Sequence, residues 1–170
     1  QVPRGTVGEI VVQGPNVTRQ YFNRDHCTAL AKIKDGESVR HRMGDLGYFD
    51  AEGQLWFCGR KAHRVQTADT LLFSVKCEAI FNHHADVYRT ALVGVGPRDA
   101  QEPVLIVELE KEGVPDTNRV AAELREIGQK YSDTRSIERF LFHPSFPVDI
   151  RHNAKIYREK LAVWAEKQLL

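Results

Sequence analysis

This chain has no long apolar run, no excess of charge of one sign and no paired-cysteine motif. The first absence leaves nothing that spans a membrane. The second, 24 basic against 23 acidic residues and a net charge of +1, removes the global basic field that nucleic-acid binding needs, so any anion site must be local. The cysteines, Cys27, Cys58 and Cys77, are odd in number and form no CxxC pair. That fits reduced thiols of a cytoplasmic protein, at small core or surface positions, better than a disulfide framework. The chain opens with "QVPRGTVGEI", with neither an initiator methionine nor a signal-peptide apolar segment, and so reads as a piece of something longer.

Several catalytic signatures are also missing. No HExxH or Cys/His cluster occurs, and His83 and His84, being adjacent, point about 100° apart on a helix and chelate poorly, so no metal is expected on the histidines. "GVGP" lacks the third glycine of a dinucleotide fingerprint, and neither a GxSxG elbow nor a GxxxxGK[ST] phosphate loop is present.

What remains is the composition of a globular protein, 42% hydrophobic and 28% charged over 170 residues, enough for one or two small domains. "TVGEIVVQG" and "GQLWFCG" read as strands, and up to Gly59 the pattern is strands and loops. From Arg60 it changes. "HRVQTADTLLF" predicts two short strands with a turn at Ala68 and Asp69, and "SVKCEAIFNHH" a helix capped by Ser74. "RTALVGVG" and "PVLIVELE" predict buried strands, and "IERFLFH" a further one. "DTNRVAAELREIGQKY" is a helix from Asp116 or Thr117, with Val120, Leu124 and Ile127 on one face. The fold class is therefore α+β, with a β-rich segment over residues 1–60 and a compact domain of mixed sheet and flanking helices over 61–170.

Three features point to chemistry. In "HRMGDLGYFDAEGQLWFCGRK", Asp45 sits on a glycine-flanked loop, either accepting from sugar hydroxyls or serving as a plain turn residue. Arg60 either holds phosphate or ribose oxygens or pairs with an acid across the domain junction. Near the end, "FPVDIRHNAKIYREKL" gathers Arg151, His152, Lys155 and Arg158 at the start of a last helix capped by Asn153. A lysine in a helix's first turn costs roughly 0.3 kcal/mol unless an anion is present, so this is either an anion site or a solvated basic turn.

Three stretches, in order, resemble the AMP-forming carboxylate-activating enzymes: acyl-CoA synthetases, luciferases and adenylation domains. "GEIVVQGPNVTRQYFNRDHCT" is similar to the family's Gly-Glu-Ile strand, "HRMGDLGYFDAEGQLWFCGR" to its Thr-Gly-Asp-Leu-Gly loop and Gly-Arg, and "FPVDIRHNAKIYREKL" to its terminal Gly-Lys segment. The resemblance implies that ATP and a carboxylate give an acyl-adenylate and pyrophosphate, after which a nucleophile displaces AMP. It assigns Asp45 to the ribose hydroxyls, Arg60 to the nucleotide, Lys61 and Ala62 to the hinge, and Lys155 to bridging the carboxylate and the α-phosphate as charge builds there.

It also implies that residues 1–60 are the end of a large domain and 61–170 a mobile C-terminal lid. The phosphate loop, substrate pocket and magnesium-binding glutamate would precede this chain. ATP and Mg2+ then belong to the longer enzyme, and the piece alone is expected to be inactive with neither bound. A small carboxylic acid is the expected partner, with room for association with other pathway enzymes and none for nucleic acid.

Departures from the pattern narrow the expectation. Ala62 stands at a usual hinge Asp or Lys, and Asp69 at a usual glycine, where a side chain should obstruct the CoA channel, while Glu78 matches the Glu opening the next helix. Adenylation without a thioester step resembles the β-lactone synthetases of bacterial long-chain olefin biosynthesis. There the 3-hydroxyl of a 2-alkyl-3-hydroxy acid displaces AMP. An ordinary fatty-acyl-CoA ligase and an inactive, partner-binding homologue are the alternatives.

Overall fold

The computed structural model describes residues 1–111 and 115–170, with residues 152–154 described by backbone only. The chain divides into two compact units, Gln1–Ala62 and His63–Leu170.

The first unit is built on one antiparallel sheet. Its axis is the long strand β3 (Ser38–Phe49), which follows β1 (Gly8–Val12), α1 (Asp25–Ala31) and β2 (Lys32–Asp35). β1 pairs one edge of β3; β2 pairs the first half of the other edge and β4 (Leu55–Arg60) the second half. β2 and β3 meet through the two-residue turn Gly36–Glu37, with Gly36 at φ +58° as such hairpins require. The helix α1 breaks the expected pattern of strands and loops up to Gly59. α1 buries none of its residues, so no apolar stripe announces it.

A second irregularity matters more. Between the pairs Glu9↔Leu46 and Val11↔Arg42, β3 carries extra residues, and Gly44 there adopts φ +69°. Asp45 is therefore presented by a bulged strand, not by the expected loop.

The second unit is layered around a mixed sheet in the order β7–β8–β9. It opens with the short pair β5 (Val65–Gln66) and β6 (Leu71–Leu72), then α2 (Ser74–Phe81). β7 (Val87–Val95) and β8 (Glu102–Leu109) run antiparallel; α3 (Thr117–Gln129) leads to β9 (Arg139–Phe142), parallel to β8. β8 is apolar from Val104 to Val107, where both its faces are covered. Leu105 and Val107 pack with Phe81 of α2 and with Val120 and Leu124 of α3. Val104 and Ile106 pack the other way, with Phe146 and with Leu161 and Ala165 of α4 (Arg158–Leu169). Val120 and Leu124 are buried and Ile127 packs at the margin of the same cluster, as the spacing predicts. Asp116 caps α3, its side chain accepting from the Asn118 amide at 2.9 Å. α2 lacks such a cap: Ser74 is its buried first residue, and Phe73 holds the cap position without a side-chain bond.

The end of the chain departs most from expectation. The last helix begins at Arg158, and the residues before it form a hairpin, β10 (Val148–Asp149) with β11 (His152–Ile156). Lys155 thus lies on a strand, not in a helix's first turn, and the expected Asn153 cap falls in that strand, its side chain outside the described residues. The Tyr157 amide donates to Pro147 O at 2.9 Å, and Val148 and Ile156 pack against the α4 cluster. Pairing with β10 satisfies backbone groups that a longer helix would otherwise have used, while anchoring two apolar side chains.

Candidate functional site

In the first unit the register of β3 and β4 sets Asp45 opposite Arg60. Arg60 Nη1 lies 3.2 Å from Asp45 Oδ1 and donates to the Met43 carbonyl at 3.2 Å. Arg60 therefore pairs with an acid of its own sheet, not with one across the junction. The contact is an ion pair out of hydrogen-bonding line, and the buried Asp45 Oδ1 accepts no hydrogen bond. A buried carboxylate oxygen left unsatisfied costs roughly 1–3 kcal/mol. A ligand hydroxyl donating there would recover that loss, so the residue set fits a sugar edge with an arginine beside it.

The same unit holds a network that sequence reasoning missed. The Glu9 carboxylate receives Arg42 at 2.6 Å and Lys61 at 2.8 Å. The hydrogen bond from Arg42, with Lys61 adding to it, holds Glu9 below the usual carboxylate range. Lys61 opens a 3-10 turn, Lys61–His63, where the chain passes between the units, and the exposed Ala62 follows it. The only sequence signal was the alternation that puts Glu9 and Val11 on one face of β1.

In the second unit Asp69 is exposed in the turn between β5 and β6, with its amide on Thr67 Oγ1 at 3.3 Å. Its backbone lies outside the left-handed region, so this turn does not itself demand glycine. Glu78 lies in the body of α2 instead of opening it. It is buried, accepts the Leu92 amide at 2.8 Å and is gripped by both prongs of Arg158. Burial pushes its carboxyl up, against the pull of Arg158 and the Leu92 amide. Arg158 is thereby withdrawn from the basic group expected at the helix start.

Arg151 and Lys155 converge on Asp149, a carboxylate only 3% exposed, while the side chain of His152 lies outside the described residues. Arg151 donates from its amide and Nε to Oδ1, both at 3.0 Å, and from Nη2 to Oδ2 at 2.8 Å. Lys155 Nζ lies 3.8 Å from Oδ2, with its side chain 63% exposed. The arginine first, with help from Lys155 and the Tyr157 hydroxyl, lowers the Asp149 carboxyl to about 2.

His84 pairs with Glu123 at 2.7 Å instead of with its neighbour His83, and His84, Asp86 and Glu123 bring ligand atoms within 4.8 Å of one another. Arg119 already bridges both carboxylates, which makes this an ion-pair cluster among the described residues. All three cysteines are free thiols, Cys27 exposed and Cys58 and Cys77 buried. No helix among the described residues is long and apolar enough to cross a membrane.

No family model matches the chain. It is 57% identical over 171 residues to an olefin beta-lactone synthetase of Xanthomonas campestris, covering 96% of this chain and 31% of that protein. It is 34% identical over 125 residues to a 2-succinylbenzoate–CoA ligase of Geobacillus kaustophilus, covering 73% of this chain and 25% of that protein. Among solved structures, the amide bond synthetase McbA of Marinactinospora thermotolerans superposes with a TM-score of 0.80 at 27% identity, over 96% of this chain and 32% of that one. The chain thus spans about a third of the length of the proteins it matches. It belongs to the AMP-forming acyl-adenylate superfamily, and along nearly its whole length it is similar to an olefin beta-lactone synthetase.

Proposed function

We propose that the chain is the C-terminal part of an ATP-dependent, AMP-forming enzyme that converts long-chain 2-alkyl-3-hydroxy acids to β-lactones without CoA. One observation carries the reading. Identity to a protein named for β-lactone synthesis is 57% over 96% of the chain, against 34% over 73% for a CoA ligase. In this reading residues 1–60 end the large domain and residues 61–170 form a lid that turns about Lys61 and Ala62. Asp45 Oδ1 takes a ribose hydroxyl with Arg60 beside it, and the lack of a hydrogen bond to that buried oxygen supports the assignment.

The substrate carboxylate attacks the α-phosphorus and expels pyrophosphate. Lys155, exposed on β11, stabilises the charge that builds on the α-phosphoryl oxygens. The substrate's own 3-hydroxyl then attacks the acyl carbonyl and gives up its proton. AMP leaves and the four-membered ring closes, a displacement favoured by proximity. Mg2+ arrives with ATP and is held outside this chain.

The test uses the longer protein that carries this chain, with ATP, Mg2+ and a 2-alkyl-3-hydroxy fatty acid, with and without CoA, and products followed by NMR. A β-lactone formed without CoA is the expected result. Acyl-CoA formed only when CoA is supplied would replace this reading with that of a fatty-acyl-CoA ligase. Adenylate formation that survives Lys155→Ala unchanged would remove the role given to Lys155.

A further inference from the structure

The geometry points to Arg151 as a positioning residue that keeps Lys155 available by occupying the carboxylate of Asp149. This rests on the role proposed above for Lys155.

Asp149 is a fixed anion at the base of the hairpin, and its two oxygens offer about four lone-pair sites. Arg151 supplies three donors to them, its amide, Nε and Nη2, all within 3.0 Å. The nearby Tyr157 hydroxyl helps to hold the group ionised. Most of the carboxylate is then occupied, and by Arg151 alone. Lys155 Nζ, at 3.8 Å, is close enough to be attracted but too far to be hydrogen-bonded. It is tethered near one place while its ammonium still faces solvent, the state a mobile cation needs if it is to pair with an incoming phosphoryl group.

The two cations thus play unlike parts. Arg151 has the planar fork that matches a carboxylate on two atoms, which an ammonium cannot imitate. Its side chain is 75% exposed, so truncating it removes little packing. Without it, two sites on Asp149 fall open, and Lys155 can drop into direct contact. The charge needed at the phosphoryl group would then be spent inside the hairpin.

The experiment compares Lys155→Ala, Arg151→Ala and Arg151→Ala/Asp149→Asn in the longer protein, by ATP–pyrophosphate exchange at saturating ATP. Arg151→Ala is expected to lower the turnover of exchange about tenfold with little change in KM for ATP, the effect of one additional charge-assisted hydrogen bond holding Lys155 in the resting state. The double variant is expected to recover to within about threefold of the parent, because the trap for Lys155 is gone. A double variant as slow as Arg151→Ala would overturn the inference, since Arg151 would then be acting on the substrate or on the hairpin itself. So would an Arg151→Ala protein as fast as the parent.

A second readout is independent of catalysis. In the 170-residue chain, the Asp149 carboxyl carbon should titrate at about 2, and should move up towards the ordinary range in Arg151→Ala. A titration that does not move would show that Arg151 does not occupy Asp149. If Lys155→Ala leaves exchange unimpaired, the role of Lys155 fails. The carboxyl titration tells that failure apart from failure of the pairing.

Discussion

Asp149 is nearly sealed from solvent and yet ionised far below the usual carboxylate range, because Arg151 donates to both of its oxygens. Its carboxyl is lowered from 3.8 to about 2, so the folded state holds the proton less tightly than the unfolded chain does. The stabilisation from this group is complete above 3.8 and is lost as pH falls through the interval down to about 2. Asp149→Asn should therefore unfold at lower urea than the wild type at neutral pH, with the difference closing as pH approaches 2. Urea midpoints taken across that range check it. A difference that persists unchanged at the acid end would mean that the asparagine acts through packing, not through charge.

Among the elements, α3 was legible because its information is local: Asp116 caps it and Val120 and Leu124 recur at helical spacing. The alternation of β8 between two covered faces was legible for the same reason, from the apolar run Val104–Val107. "AKIYREKL" has strong helix formers and so points Lys155 to a helix, while the competing hairpin that holds it is fixed by residues upstream. Val148 pairs with Ile156, and Asp149 draws Arg151 back across the turn. Asp45 and Arg60 are visible in the sequence as site candidates, but their direct opposition depends on a register that only the folded sheet fixes.

The same long-range logic governs Arg158, which is separated from Glu78 by 80 residues and largely buried beside it. This pair ties α4 to α2 across the edge of the sheet. Glu78→Ala leaves a guanidinium and the Leu92 amide without their partner and is expected to destabilise the second unit by about 3–5 kcal/mol. Adding Arg158→Met should restore part of that loss, because an apolar side chain of similar length tolerates the site. Equilibrium urea unfolding of both variants measures the coupling, and purely additive losses would argue that the two residues stabilise the fold separately.

At the scale of the molecule the two units differ in how much they bury. Among the described residues nearly all the buried apolar side chains belong to His63–Leu170, and Gln1–Ala62 contributes only Leu46 and Cys58. Phe49, Leu55, Trp56 and Phe57 of the first unit's sheet are each about half exposed, and Val11 and Ile33 are also open. A sheet without a covered face gains too little from burial to offset the conformational entropy of ordering its strands. The second unit has apolar layers on both faces of its sheet, with Leu92, Leu105, Ile106 and Leu161 fully buried. Residues 63–170 produced alone should therefore give a dispersed NMR spectrum and a single sigmoidal thermal transition, while residues 1–62 alone should give neither. If residues 1–62 melted cooperatively in isolation, their sheet would be drawing stability from interactions other than apolar burial. The Glu9–Arg42–Lys61 network would be the first place to look.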